Sequence, residues 1–191
     1  MICMSEAEEI SRKQKQVSIS EFFEKNKHFL GFDTLQRSII TAVKESVDNS
    51  LDACEEARIL PDIRVEIQRT QNDELRLITQ DNGPGIPRDA IENVFGKFLL
   101  GSRFHAIRQT RGQQGIGITG VVMYSQLTTG SKTNVVSKIK KDSSAVIVEL
   151  GIDTKKNKAI KTGERREAWI DGLTSEEVVE GLRIETVMKA K

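Results

Sequence analysis

Residues 35–60 read LQRSIITAVKESVDNSLDACEEARIL, and residues 61–85 continue PDIRVEIQRTQNDELRLITQDNGPG. In the first stretch apolar residues recur at Leu35, Ile39, Ala42, Val43, Val47, Leu51 and Cys54. That spacing follows one face of a helix, with Asp33 or Thr34 as its cap and Pro61 as its stop. IRVEIQRT and ELRLITQ then alternate apolar and polar residues, as half-buried strands do, with Gln71-Asn72-Asp73 as the turn between them. The second strand runs into Asp81-Asn82-Gly83-Pro84-Gly85, a dense turn signal.

Upstream, residues 1–18 are polar and unpatterned and read as a mobile arm. Ser20 then precedes EFFEKNKHFLGF, a short helix closed by Gly31. Downstream, a helix from Arg88 to Phe95 leads into residues 96–114, a long polar loop, and GIGITGVVMYSQL reads as a buried helix opening on glycines. After residue 130 the pattern turns strand-like in NVVSKIKK, AVIVELGID, REAWID and GLRIETVMK. Ser143-Ser144, Lys156-Asn157 and Asp171-Gly172 supply turns. Helices and a strand pair followed by a run of strands predict an α+β fold. It is a two-layer sandwich with helices on one face of a mixed, largely antiparallel sheet.

The 191 residues allow one domain, two at the most. Lys and Arg number 29 against 28 Asp and Glu, a net charge of +1, which argues against a strongly basic nucleic-acid module. Aromatics are 5%, too few for a surface of stacked bases. No apolar run reaches the ~18 to 20 residues of a membrane span. Met1 to Gln16 lacks a signal-peptide stretch. Cys3 and Cys54 make no disulfide framework, and no Cys/His spacing suits a metal, so the chain reads as cytoplasmic. His28 and His105 read as isolated surface or loop residues, Tyr124 and Cys54 as core, and Trp169 as half-buried on a strand face.

Three clusters carry chemistry. On the long helix, Glu45, Asn49 and Asp52 stand at i, i+4 and i+7 and share a face. A carboxylate one turn from an amide oxygen suits deprotonation of a water beside a hard cation such as Mg²⁺. At the strand end, Asp81 can accept from an exocyclic amine of the kind adenine offers, while Gly83 and Gly85 let backbone approach a flat ligand. The run Arg111 to Gly120 exposes backbone N–H groups at a helix start, an anion site to which Lys97, Arg103 and Arg111 could add charge. Each cluster has a plainer alternative: a solvated helix face, a tight turn, a flexible hinge. Together they divide one ligand into cation and water, base, and phosphates.

These residues resemble the GHKL ATPase superfamily, whose members share Glu-x-x-x-Asn on a helix, an Asp-x-Gly-x-Gly turn and a glycine-rich lid. Here these are Glu45 to Asn49, Asp81 to Gly85, and Gly112 to Gly117. Within it, GFDTLQRSIITAVKESVDNSLDACEEA, DNGPGIP and FGKFLLGSRFHAIRQTRGQQGIGITGVVMYSQL are similar to the archaeal topoisomerase VI B-subunit family, part of the type IIB DNA topoisomerases. The resemblance implies the GHKL (Bergerat) ATP-binding fold, with ATP and Mg²⁺ as ligands. It makes Glu45 the general base, Asn49 the Mg²⁺ ligand and Asp81, with Gly85, the adenine contact. It places Ser102 and Arg103 on a lid near the nucleotide. Gly112, Gln113, Gln114, Gly115, Ile116, Gly117, Ile118 and Thr119 would wrap the triphosphate.

It further implies dimerisation with a second B subunit on ATP binding, a partner A subunit in an A2B2 heterotetramer, DNA as the object of duplex passage, and a nucleoid-associated location without membrane contact. The expected division is an arm over 1–18 and an ATP-binding domain over 19–191. The helical insert and transducer that follow in family members are expected to be absent, which implies weak or no turnover by the chain alone. Two positions depart from the family's pattern. Leu182 stands where relatives have a threonine that helps hold the base-binding aspartate, and Thr119 stands where some have lysine. The competing readings are a chaperone or mismatch-repair ATPase, a histidine kinase, and a scaffold that kept the fold and lost the activity.

Overall fold

The computed structural model describes residues 19–70, 72–96, 117–153 and 158–189. The expected N-terminal arm and most of the expected lid, including Lys97, Ser102, Arg103 and Gly112 to Ile116, lie outside the described residues. So does the turn at Lys156-Asn157.

Helix α1 (Ile19–Leu30) begins two residues earlier than expected, placing Ser20 in its first turn. Gly31 closes it at φ +78°. The Gly31 amide donates to the His28 carbonyl and the Phe32 amide to Lys27, at 3.3 and 2.8 Å, which satisfies two orphan carbonyls of the last turn. The reversal drops Phe32 onto Phe23, with ring centroids 5.4 Å apart, and onto Tyr124 at 5.1 Å.

Helix α2 (Leu35–Ala57) is capped by Thr34, whose Oγ1 accepts from the Arg37 amide at 3.2 Å. It ends ahead of Pro61, with Arg58 in the left-handed conformation and the Arg58 and Ile59 amides covering the Glu55 and Cys54 carbonyls. Its buried row differs from the expected stripe of large apolar residues. Ser38, Ala42, Ser46, Ser50 and Cys54 are buried, while Val47 and Leu51 are only half-buried. Small side chains at every fourth position let neighbouring backbone come close, and polarity-based periodicity does not register them.

Strands β1 (Ile63–Arg69), β2 (Glu74–Asp81), β3 (Thr133–Lys138), β4 (Ala145–Asp153), β5 (Lys158–Glu167) and β6 (Gly181–Lys189) form one sheet in the order β1-β2-β6-β3-β4-β5. Every described pair is antiparallel, so the sheet is not mixed. The hairpins β1–β2 and β3–β4 present neighbouring strands that run the same way, and β6, arriving last, runs against both. The strand expected at REAWID is also corrected. β5 spans KAIKTGERRE instead, while Trp169 lies beyond its end and is buried rather than half-buried. As an edge strand, β5 has no apolar-polar alternation to read, and a bulge at Glu149/Leu150 shifts its register against β4.

Helices α3 (Arg88–Gly96) and α4 (Gly117–Thr129) complete the second layer. α4 is buried on nearly every side from Thr119 to Ser125, as a helix between a sheet and other helices must be. Val135, Val148, Leu150, Ile184 and Met188 from the sheet meet Phe23, Ile91, Phe95, Val121 and Met123 from the helices in one core.

Candidate functional site

Above that core the two layers part around a cavity of about 160 Å³. One wall is α2, through Ser46, Asn49, Ser50 and Ala53. The end of β2 contributes Asp81, the following turn Pro84 to Ile86, α3 Val94 and Phe95, α4 Ile118, and β6 Leu182 and Ile184. The pocket is therefore mostly apolar, with a few polar groups converging on it, the usual make-up of a small-molecule site. A wider hollow of about 650 Å³ lies on the opposite face of the sheet, beside Arg76, Arg183, Glu185 and Trp169. Its charges pair with each other, Arg76 and Arg183 both with Glu185, so the smaller cavity holds the chemistry.

Asp81 is the last residue of β2 and is only 5% exposed. Its Oδ2 accepts from Ser50 Oγ at 2.6 Å and its Oδ1 from the Gly83 amide at 3.0 Å. Burial pushes its carboxyl above the usual carboxylate range, and bonds from Ser50 and the Gly83 and Leu182 amides pull it back. Leu182, opposite Asp81 across β2 and β6, offers no side-chain donor, yet each carboxyl oxygen already accepts a hydrogen bond without one.

Asn49 lines the cavity, and Glu45 lies one turn before it on α2. Asn49 Nδ2 donates to the Glu45 carbonyl at 2.6 Å. A carbonyl accepts only from the nitrogen end, so Asn49 Oδ1 is left as the free oxygen. Burial raises the Glu45 carboxyl, the Lys44 ammonium 3.8 Å away lowers it, and the Asp48 charge raises it further. Gly117, the first residue of α4, lies so close that any side chain there would run into the Glu45 carboxyl. A carboxylate at a helix N-terminus is favoured by the exposed amides.

The turn after Asp81 is pinned from both ends. Asn82 Oδ1 accepts from the Asp62 amide at 2.8 Å, and its Nδ2 donates to the Leu60 carbonyl at 3.0 Å. The Ile86 amide donates to Ser137 Oγ at 2.7 Å, and that hydroxyl donates to the Ile86 carbonyl at 2.9 Å. Gly85, at φ +68°, presses against the Lys138 carbonyl where a Cβ could not fit.

A model of the family described as histidine kinase-, DNA gyrase B- and HSP90-like ATPase matches residues 34–154. The chain belongs to that family. It is 51% identical over 184 residues to the B subunit of the type 2 DNA topoisomerase 6 of Methanococcoides burtonii, covering 96% of this chain and 28% of that one. It is 57% identical over 151 residues to the B subunit of the same enzyme in Methanosarcina acetivorans, covering 79% and 24%. The Archaeoglobus fulgidus counterpart is 55% identical over 160 residues, covering 84% and 26%. The chain thus spans about a quarter of the length of these relatives. Among solved structures, one described as the N-terminal domain of a DNA repair protein aligns with 76% of this chain and 34% of its own, at a TM-score of 0.45 and 23% identity.

The matched segment runs from the cap of α2 to the end of β4, and so contains the whole cavity wall from Ser46 to Ile118. Of the residues picked out in the sequence, the structure gathers Asn49, Asp81, Gly85 and Ile118 on the cavity, and sets Glu45 against Gly117, the residue before Ile118. Thr119 points into the core, 1% exposed, and contributes backbone only. Asp52 is buried away from the cavity, which α2 faces through Ser46, Ser50 and Ala53 instead. Ser50 and Ser137 escaped the sequence reading. Ser50 was detectable as one member of the row of small side chains at every fourth position; Ser137 sits in an ordinary strand pattern and sent no signal.

Proposed function

We propose that this chain is the ATP-binding, ATP-gated dimerisation domain of a type IIB DNA topoisomerase, within its B subunit. The observation that carries this reading is the buried Asp81 carboxylate at the edge of an apolar cavity, within an ATPase family match. A carboxylate accepts an amine and repels a carbonyl, so a base with an exocyclic amine fits and one with an oxo group does not. The volume of about 160 Å³ holds a base rather than a whole nucleotide, since complete ligand sites run to roughly 300 Å³ or more. The phosphates then extend toward Asn49 and the start of α4.

The residues fit a magnesium-bound triphosphate. Asn49 Oδ1 is a free hard oxygen, and Mg²⁺ favours such ligands alongside phosphates and waters. The metal's chemistry is to neutralise charge on the phosphates. Glu45, its carboxyl made more basic by burial, takes a proton from a water. The water oxygen bonds to the γ-phosphorus as the bond to the bridging oxygen breaks, leaving ADP and phosphate. The names of the relatives support a partner subunit and DNA in the complete assembly, and the ATP-gated reading adds a second copy of this chain. They also support an intracellular site of action. No described helix is long and apolar enough to cross a membrane.

Calorimetric titration with Mg²⁺ and a non-hydrolysable ATP analogue tests the reading. The chain binds and the Asp81→Asn variant loses binding by about tenfold or more, because the amide cannot offer two acceptor oxygens. A folded chain that binds no nucleotide refutes it.

A further inference from the structure

We propose that Ser50 is a specificity-determining positioning residue: its hydroxyl holds the Asp81 carboxyl in the orientation that selects a 6-amino over a 6-oxo purine. The inference rests on the adenine-nucleotide reading above and adds to it the group on which base selection depends.

Ser50 and Asp81 are 4% and 5% exposed, and their bond of 2.6 Å joins α2 to the end of β2. Among the described residues, Ser50 is the sole side chain that donates to this carboxyl, and no basic side chain pairs with it. The residue across the strand pair is Leu182, whose amide reaches the carboxyl but whose side chain has no donor to stand in for Ser50. The two oxygens are thus made unequal: Oδ1 is held by the Gly83 amide and Oδ2 by Ser50. Rotation of the carboxyl would break both bonds, so the lone pairs left over point in a fixed direction.

Ser50 also controls which form of Asp81 the base meets. A donor to the ionised carboxylate stabilises that form against a burial that favours the acid. The acid form carries an O–H of its own and would accommodate a 6-oxo group. Ser50 shares this task with the Gly83 and Leu182 amides and, among the described residues, is the one side chain that takes part in it. Around Asp81 are Cys54 on α2, Ile63 on β1, Val94 on α3, Gly83 in the turn and Leu182 on β6. The hollow on its other side carries Asp62, Arg64, Asp171, Glu176, Glu177 and Glu180, with Arg64 paired to Glu66 and Asp171. Cys54 is the titrating group among the direct neighbours. Burial and the Asp81 charge push its thiol up, away from the acid range.

The experiment titrates ATP and inosine triphosphate, each with Mg²⁺, into the full chain and into Ser50→Ala across a pH series. The wild-type chain prefers ATP. Ser50→Ala binds ATP about tenfold more weakly, the scale of one lost hydrogen bond to a charged group. Its preference over inosine triphosphate narrows, and the acid limb of ATP binding moves to higher pH, because the carboxyl now protonates more readily. A general loosening of the fold would weaken both nucleotides alike and leave the limb in place. If Ser50→Ala fails to fold, Ser50→Cys carries the test with similar shape and a weaker donor, giving the same narrowing in smaller measure. A folded variant with unchanged preference and unchanged limb overturns the inference and leaves the nucleotide site standing. A wild-type chain that binds neither nucleotide overturns both.

Discussion

A single methyl group at position 117 would meet the Glu45 carboxyl. Two effects compete in Gly117→Ala. Helix propensity favours alanine over glycine by about 1 kcal/mol. Overpacking against a neighbour that cannot retreat costs about 1–3 kcal/mol. The new methyl would meet the carboxyl of Glu45 and also its Cγ, at 3.1 Å, so turning the carboxyl alone does not clear it and the second effect wins. We expect Gly117→Ala to lower stability in urea unfolding by about 1 kcal/mol net, the difference of those terms. The double variant with Glu45→Ala recovers the loss, as a contact pair should in a mutant cycle. An alanine variant more stable than wild type would show that Glu45 moves freely. At this scale the sequence was informative wherever a residue type is itself the signal. Glu45, Asn49 and Asp81 are conspicuous by chemistry and spacing. Ser50 is not, because a serine next to a polar helix face looks like solvent until the strand arrives beside it.

Among the elements, α2 carries most of the site, and its start is set by Thr34. The hydroxyl accepts from the Arg37 amide, and the Thr34 carbonyl accepts from Ser38 Oγ at 2.7 Å. Thr34→Ala removes the cap and costs about 1 kcal/mol. The expected outcome is a lower thermal midpoint with nucleotide affinity unchanged, since Asn49 and Ser50 lie turns away. A change in affinity as large as the change in stability would mean that the whole helix shifts. The helix and the β1–β2 hairpin were legible from their periods, and α4 from a mostly apolar run opening on glycines. β5 was not. An edge strand faces solvent with charged residues, so its two-residue period vanishes from the sequence.

Two acidic groups tie the molecule together across distant segments. Glu164 on β5 accepts from Arg88 on α3 at 2.5 Å and from Lys161 at 2.5 Å. Asp171 accepts from the Leu173 amide at 2.7 Å, from Gln80 on β2 at 2.8 Å and from Arg64 on β1 at 3.3 Å. The Arg88 bond chiefly lowers the Glu164 carboxyl to about 2, and the Leu173 and Thr174 amides chiefly lower that of Asp171 to about 2. Carboxyls depressed in the folded state contribute stability above their ordinary values of 4.5 and 3.8, and lose it as pH falls toward about 2. Asp81 and Glu45, raised by burial, act in the opposite sense: their protonation relieves the fold on acidification. Thermal midpoints measured from pH 7 to pH 2 should therefore fall through the acid range. Asp171→Asn should start lower at pH 7 and fall less steeply between about pH 4 and 2. Parallel curves for the two proteins would remove Asp171 from the account.

The amino-acid order by itself determined the helix–hairpin–helix–strand sequence, the two-layer class and the identities of Glu45, Asn49 and Asp81. Each follows from local periodicity, turn chemistry or the reactivity of a side chain, all of which are written in neighbouring residues. Tertiary structure alone decided that the last strand, β6, enters the middle of the sheet and lies beside Asp81. It also decided that Ser50 takes the carboxyl, that Ser137 fastens the turn, and that Gly117 leaves room for Glu45. Those contacts join segments far apart in the chain. They exist only once the core has closed and brought α2, α4 and the sheet within hydrogen-bonding reach.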